Sequence, residues 1–283
     1  MTDVPVDAEA FNAFEAAGWQ RQAVGYEDFF GPITTRLVEP LLDAALVGKG
    51  TRVLDVGTGP GYAAARAAER GAVVVGLDRV EAMLTLARRD YPRLDFRQGD
   101  VEALPFPDQS FDAVVGNFIL LHLGRPERAA AEFVRVLAPN GRLALTVWDV
   151  PEQARFLGVL VDAVAAAGAR APEEMPVGPP IFRFSDEREF ARLLSDQVLE
   201  EIQVRTVAFS HSVPSAEDLW RGLLGGTVRT SGLILAQTDD VQREIRSAFD
   251  RIVQECAVGD GLEVPVSVKL ASGRKQASDT QAA

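Results

Sequence analysis

Apolar positions along this chain switch between two periods, and the switching predicts its elements. Over residues 6–24 they recur at helical spacing, with Ala10, Phe11, Phe14 and Ala17 near one face, until Gly25 breaks the pattern. Gly31-Pro32 marks a turn, and a second helix is predicted over 34–46, kinked or divided at Pro40. Short apolar runs then alternate with helical stretches. Strands are predicted at 52–56, 72–77, 94–98, 111–116 and 142–148, and helices at 61–70, 80–89 and 127–137. Such alternation argues for a parallel sheet covered on both faces, and right-handed crossovers make it doubly wound.

The second half is less regular. Helices are predicted at 153–167, 186–194 (capped by Ser185), 216–224 and 241–256. Strands are predicted at 198–209 and 264–270, and four prolines make 171–180 a loop. The expected architecture is α/β: a Rossmann-like, doubly wound, mostly parallel seven-stranded sheet with an N-terminal helical lid and a helical cap insertion. Its parts are a lid (1–46), a core (47–150), a cap (151–197), a sheet-completing region (198–274) and a disordered tail (275–283).

Composition narrows the function classes. A chain of 283 residues can bury a sizeable core. No apolar run approaches the roughly 20 residues that span a bilayer. Residues 1–10 are acidic and lack the regions of a signal peptide, so a cytoplasmic protein without membrane contact is expected. Cys256 is the single cysteine and His122 and His211 are the two histidines, which argues against a disulfide and a metal site. Net charge is −12, which disfavours nucleic acid as a partner. A monomer or homodimer acting on a small molecule is expected.

The strongest chemical signal is Asp55-Val56-Gly57-Thr58-Gly59-Pro60-Gly61. A strand ends in an acid and passes through three glycines into a helix whose first amides are free. The bend lies beyond the carboxyl end of a strand, where open α/β sheets bind ligands. Dinucleotide enzymes favour G-x-G-x-x-G, but Tyr62 stands at the third glycine's place. Asp55 would repel a pyrophosphate and suits the ammonium of a methionine-like ligand. Asp78 ends the second strand, where a carboxylate accepts from both hydroxyls of a ribose; otherwise it is a solvated strand-end acid. Asp100 follows the third strand and either accepts from an adenine amine or forms a turn after Gly99. Asp112 reads as structural, on the core side before the fourth strand.

With these motifs in this order, the chain resembles the class I S-adenosylmethionine-dependent methyltransferases, nearest the ubiquinone and menaquinone biosynthesis group. The first motif is the bend itself. Gly76-Leu77-Asp78 resembles the second, Gly99-Asp100-Val101-Glu102-Ala103-Leu104-Pro105-Phe106 the third, and Phe111-Asp112-Ala113-Val114-Val115 and Leu137-Ala138-Pro139-Asn140-Gly141-Arg142-Leu143 the later strand motifs. The resemblance covers residues 25–148 well and the rest loosely. It implies S-adenosylmethionine as cofactor and S-adenosylhomocysteine as product. It places Asp55, Gly57, Thr58, Gly59, Gly61, Asp78, Arg79, Met83, Asp100, Val101 and Asn117 around that cofactor. It further implies that Tyr26 approaches the methionine end and Arg36 its carboxylate; helix packing is the alternative for both. Two departures stand out. Val80 replaces a capping Ser or Asn, and the Asn-Pro-Pro-Tyr motif of base and glutamine methylation is absent.

Methyl transfer needs alignment first and a base only for a protonated acceptor. His122, after the fourth strand, is either that base or a packed histidine. His211 reads mainly as structural. Trp19, Phe30, Trp148, Phe182 and Phe184 either line an apolar acceptor cavity or pack in the core. The reading is O- or C-methylation of a small metabolite. The alternatives are N-methylation of a small amine and a cofactor-binding protein that does not methylate, of cyclase-like or regulatory type. A dinucleotide oxidoreductase is more remote.

Overall fold

The computed structural model describes residues 6–277. Five mutually parallel strands occupy one side of the sheet: β1 (Arg52–Val56), β2 (Val73–Asp78), β3 (Asp95–Gln98), β4 (Phe111–Asn117) and β5 (Leu137–Trp148). Beyond β5 lie two long antiparallel strands, β6 (Leu199–Val213) and β8 (Gly261–Lys275). The order is β3-β2-β1-β4-β5-β8-β6. The sheet has eight strands rather than seven, because the two-residue β7 (Ala257–Val258) folds back on the start of β8. A two-residue strand leaves no periodic trace in a sequence.

The continuous apolar runs have a direct cause. Val53, Ala113, Val115 and Ala144 face a layer of small helical residues such as Ala63, Ala64 and Ala67. Their neighbours Leu54, Val114, Leu143 and Leu145 face Phe133, Phe190 and Leu194 on the other side. Both faces are buried, so no polar alternation survives. One layer holds α3 (Val38–Ala44), α4 (Tyr62–Glu69) and α5 (Glu81–Asp90). The other holds α6 (Pro126–Val136) and α8 (Glu187–Ser195). At the antiparallel end α7 (Arg155–Ala166) packs on α11 (Asp239–Ile252) around Phe156, Leu160 and Phe249.

Several local expectations need correction. Asp186 caps α8, accepting from the Arg188 and Glu189 amides at 2.8 and 2.9 Å, while the Ser185 hydroxyl donates to the Phe182 carbonyl. The helix expected over 34–46 is divided at a 3-10 turn, Thr35–Leu37, after the short α2 (Gly31–Thr34). Pro40 is third in α3, where its missing N–H would have no helical partner anyway. Strand β8 continues to Lys275, and residues 278–283 of the expected tail lie outside the described residues. Asp112 is not on the core side: it takes a half-exposed two-point contact from Arg52 at 2.6 and 3.1 Å, joining the starts of β1 and β4. Helix α10 (Arg229–Leu235), which the sequence did not suggest, follows α9 (Ala216–Gly225). No helix among the described residues is long and apolar enough to cross a membrane.

Helix α1 (Ala8–Phe29) runs straight through Gly25. The residue there serves close approach, not termination: a Cβ on Gly25 would lie 2.3 Å from the Gly225 carbonyl oxygen of α9. The apolar face is also turned from the one expected. Phe11, Asn12, Glu15, Gly18 and Ala23 are buried, whereas Ala10 and Ala17 are exposed. Two polar side chains sit on the inward face because that face closes a cavity, not a core. Seating of α1 on α9 gives a direct test. Gly25→Ala is expected to lower unfolding stability by roughly 1–3 kcal/mol, as overpacking does, in urea titrations. An unchanged midpoint would mean that α1 does not rest on α9 in solution.

Candidate functional site

The chain order reverses between β1 and β4, and ligands of such sheets bind beyond the strand ends at that switch point. One cavity lies there. It is bounded by the β1 and β4 loops, by α1 and α7, and by the segment joining α9 to α10.

The bend after β1 is tied to β2 by two backbone amides. Thr58 N donates to the Leu77 carbonyl at 3.0 Å, and Gly59 N to Asp78 Oδ2 at 2.9 Å. Gly59 has φ +53°, and apart from its chain neighbours no atom of the described residues lies within 4 Å of where its Cβ would be. The bare backbone therefore opens on free space. Asp55 is buried behind the bend, its Oδ2 accepting from the Thr58 hydroxyl at 2.6 Å and from the Ala64 amide at 3.0 Å. Burial, helped by the Asp78 charge, pushes its carboxyl up to about 6 against two hydrogen bonds that lower it. Burial also raises Asp78, although the Val80 and Gly59 amides hold its oxygens. Val80 gives α5 no side-chain cap; Gln20 of α1 accepts from the Ala82 amide at 3.2 Å instead.

Of the residues singled out from the sequence, Asp55, Gly57, Thr58, Gly59, Asp78, Arg79, Met83, Asp100, Val101 and Asn117 line this one cavity. Tyr26, Trp19, Phe30, Trp148, Phe182 and His122 line it as well. Asp100 both closes a turn, accepting from the Glu102 amide at 2.9 Å, and pairs with Arg79 at 3.0 Å. Asn117 spends both polar ends on the scaffold: it accepts from Thr146 Oγ1 at 2.6 Å and donates to the Thr34 carbonyl at 3.1 Å. Tyr26 stacks on Phe30, and burial pushes its phenol up to about 12.

Three residues fall elsewhere. Arg36 is exposed, with its guanidinium 3.8 Å over the Phe209 ring and donating to the Ser210 carbonyl, because β6 offers it a π face and an acceptor. Phe184 is buried beside Phe190 in the sheet core. Gly61 does not line the cavity; it sits in the left-handed region at the start of α4, where a Cβ would meet Phe96 at 2.8 Å. His211 lies within β6, edge-on to Phe156, with burial lowering its pKa.

Sequence reasoning missed several wall residues. Glu15 is 2% exposed, and its Oε2 lies 2.8 Å from His122 Nδ1 and accepts from Trp19 Nε1 at 3.1 Å. Its Oε1 is buried with no hydrogen-bond partner among the described residues. Phe118 holds φ +62°, a strained setting for an aromatic residue, and stacks on Trp148 at 4.1 Å between centroids. Arg229 lines the wall opposite the strand ends. A polar residue on the buried side of a helix was the available signal for Glu15; none pointed to Arg229.

Against known proteins, a family described as "Methyltransferase domain" matches residues 54–145. A demethylmenaquinone methyltransferase of Paenarthrobacter aurescens is 31% identical over 183 residues, covering 62% of this chain and 72% of that one. The enzyme of that name from Renibacterium salmoninarum is 38% identical over 134 residues, covering 47% of this chain and 56% of the relative. The chain thus spans about half the length of several curated relatives it matches. A solved phosphoethanolamine N-methyltransferase 2 of Haemonchus contortus shares the fold at TM-score 0.57 and 17% identity, over 94% of this chain and 60% of that one. The chain belongs to the class I S-adenosylmethionine-dependent methyltransferases.

The buried acid gives a pH signature of its own. Raising Asp55 from 3.8 to about 6 means that the folded protein holds this proton more tightly than the unfolded chain does. The cost of its charge is absent below pH ~4, grows through pH ~6 and reaches at most about 3 kcal/mol above that. Asp55→Asn is therefore expected to stabilise the ligand-free protein relative to wild type at pH 8. That advantage should shrink as pH falls to 4, as read from urea unfolding at each pH. A difference independent of pH would contradict the buried charge.

Proposed function

We propose that the chain transfers the methyl group of S-adenosylmethionine to an oxygen or carbon atom of a small, largely apolar metabolite. The observation that carries this reading is the set of three acids, Asp55, Asp78 and Asp100, lining one cavity around a bare bend. The relatives named for demethylmenaquinone methylation point to the same acceptor class.

The residues present fit the cofactor. Open space over Gly59 admits a ligand against the backbone. Asp78 keeps acceptor capacity on both oxygens for ribose hydroxyls, and Asp100 with the Val101 amide faces the adenine position. Asp55 answers the amino group of the methionine arm, and ionising it next to a cation offsets the cost of its burial. Bound there, S-adenosylmethionine supplies a methyl group activated by positive sulfur. The protein's own part is orientation, worth roughly 7–11 kcal/mol in a well-aligned site, and exclusion of water by α1 and the α9–α10 segment.

His122 holds or takes the acceptor's proton. Its Nδ1 faces the Glu15 carboxylate at 2.8 Å, so a neutral ring donates from Nδ1 and leaves Nε2 as the basic atom. Glu15 is the positioning residue for that tautomer. Residues 8–44 form the lid and residues 155–235 contribute the facing wall. A cytoplasmic location suits a chain whose single cysteine, Cys256, is a buried free thiol.

Two experiments test this reading. In thermal-shift assays, S-adenosylhomocysteine at 100 times its Kd is expected to stabilise the protein by ~2.7 kcal/mol, with no effect of NAD or NADP. Asp78→Ala should weaken binding about 100-fold or more, because two hydrogen bonds to a charged group are lost. Retained affinity would remove Asp78 from the site. With an acceptor in hand, His122→Gln should lower kcat by roughly 10²–10⁴ and leave homocysteine-form binding unchanged. Glu15→Gln should give a smaller loss with a shifted pH–rate profile. Unchanged turnover in His122→Gln would end the base assignment.

A further inference from the structure

The acceptor side of the cavity contains a cation without an anion. Arg229 opens α10 and lines the cavity together with Thr227, Val228 and Thr230. Its Nη1 donates to the Pro179 carbonyl at 2.8 Å, and its guanidinium carbon stands 5.1 Å from the Phe11 ring centroid. Its Nε and Nη2 make no hydrogen bond with any described residue. Glu15 acts on it through space but makes no ion pair with it.

This state is unusual within the molecule. Arg52, Arg79, Arg125, Arg155 and Arg183, among others, hold carboxylates. The described arginines without a carboxylate, such as Arg36, Arg128, Arg205 and Arg251, are exposed to water; Arg229 is half-buried. Lys275 is also half-buried without a carboxylate, but its ammonium donates to three carbonyls, those of Val134, Arg135 and Leu137. A guanidinium has five donors, and Arg229 uses one of them. Removing such a charge from water is costly unless a partner receives it. Burial does lower the Arg229 pKa, yet an arginine stays protonated near neutral pH.

The unused donors also have a shape. Nε–H and Nη2–H are parallel and form one edge of the guanidinium fork, which matches the two oxygens of a carboxylate. Arg52 presents that same edge to Asp112, and Arg97 presents it to Asp95. The same cavity has an aromatic wall: Phe118 stacks on Trp148, and Phe30 meets Trp148 edge-on at 6.3 Å.

We infer that Arg229 is the specificity-determining residue for an acceptor that joins an apolar ring system to a carboxylate, with the ring in the aromatic part of the cavity lined by Phe30, Phe118 and Trp148 and the carboxylate on the Nε/Nη2 edge. The inference rests on the methyltransferase reading above and names the substrate class for its cavity. A neutral acceptor of the same shape would leave the half-buried charge unanswered and bind more weakly.

Two isosteric probes test this directly: 2-naphthoate and 2-naphthamide, titrated against tryptophan fluorescence in protein saturated with S-adenosylhomocysteine. The carboxylate is expected to bind at least tenfold more tightly than the amide. Arg229→Gln should abolish that preference, and Arg229→Lys should keep part of it as a point charge without the fork. Both variants should retain wild-type affinity for S-adenosylhomocysteine, which reports that the fold and cofactor site are intact. Equal binding of the two probes by wild type, binding of neither, or a preference that survives in Arg229→Gln would overturn the inference. Failure of wild type to bind S-adenosylhomocysteine at all would instead overturn the methyltransferase reading beneath it.

Discussion

Two hydrogen bonds, from Thr58 N to the Leu77 carbonyl and from Gly59 N to Asp78, fasten the bend after β1 to the end of β2. They fix a stretch of bare backbone against the cavity and set two acids on either side of it. The cost is visible in the ionisation of those acids. Asp55 and Asp78 are both desolvated and both raised, and the Asp78 charge adds to the cost of ionising Asp55 in the ligand-free protein. A crevice that holds two desolvated carboxylates is complementary to a ligand that brings positive charge and hydroxyl donors.

The lid depends on the same economy of polar groups. Helix α1 turns Asn12 and Glu15 inward, and each is used. Asn12 donates to buried Glu102 at 2.8 Å and accepts from the Gly124 amide at 2.7 Å, which secures α1 to the loop after β4. Glu15 meets His122 and Trp19. On its other side α1 approaches α9 so closely that Gly25 and Gly225 touch backbone to backbone. Lid, β4 loop and late helices thus form one wall around the point where an acceptor would stand. The late helices lie beyond the family match, which ends at residue 145.

Much of this was legible in the sequence because of burial on both faces. Strands such as 111–116 read as unbroken apolar runs, and the bend announced itself through three glycines behind an acid. Element ends slipped by one residue where a cap decides them, as at Asp186, and by three to five where strands run on past their apolar stretch, as in β5 and β8. What stayed hidden depends on contacts between distant segments. Arg36 reads like a carboxylate-binding residue until β6 supplies Phe209 and Ser210 to hold it outside. Phe184 and Phe182 are two residues apart and equally aromatic, yet one enters the sheet core and the other the cavity. The roles of Glu15 and Arg229 exist only once α10 packs beside α1 at the cavity, some 214 positions apart in sequence (229 − 15).

The central claim is that the tied bend and its acids receive a nucleoside carrying an amino-acid arm. A crystal structure of the protein with S-adenosylhomocysteine measures this most directly. The account requires ribose hydroxyls within hydrogen-bond distance of the Asp78 carboxylate, the adenine beside Asp100 and Val101, and the amino group turned toward Asp55. Density for that ligand away from Asp78, or a dinucleotide pyrophosphate seated on the Gly57–Gly59 backbone, would contradict it.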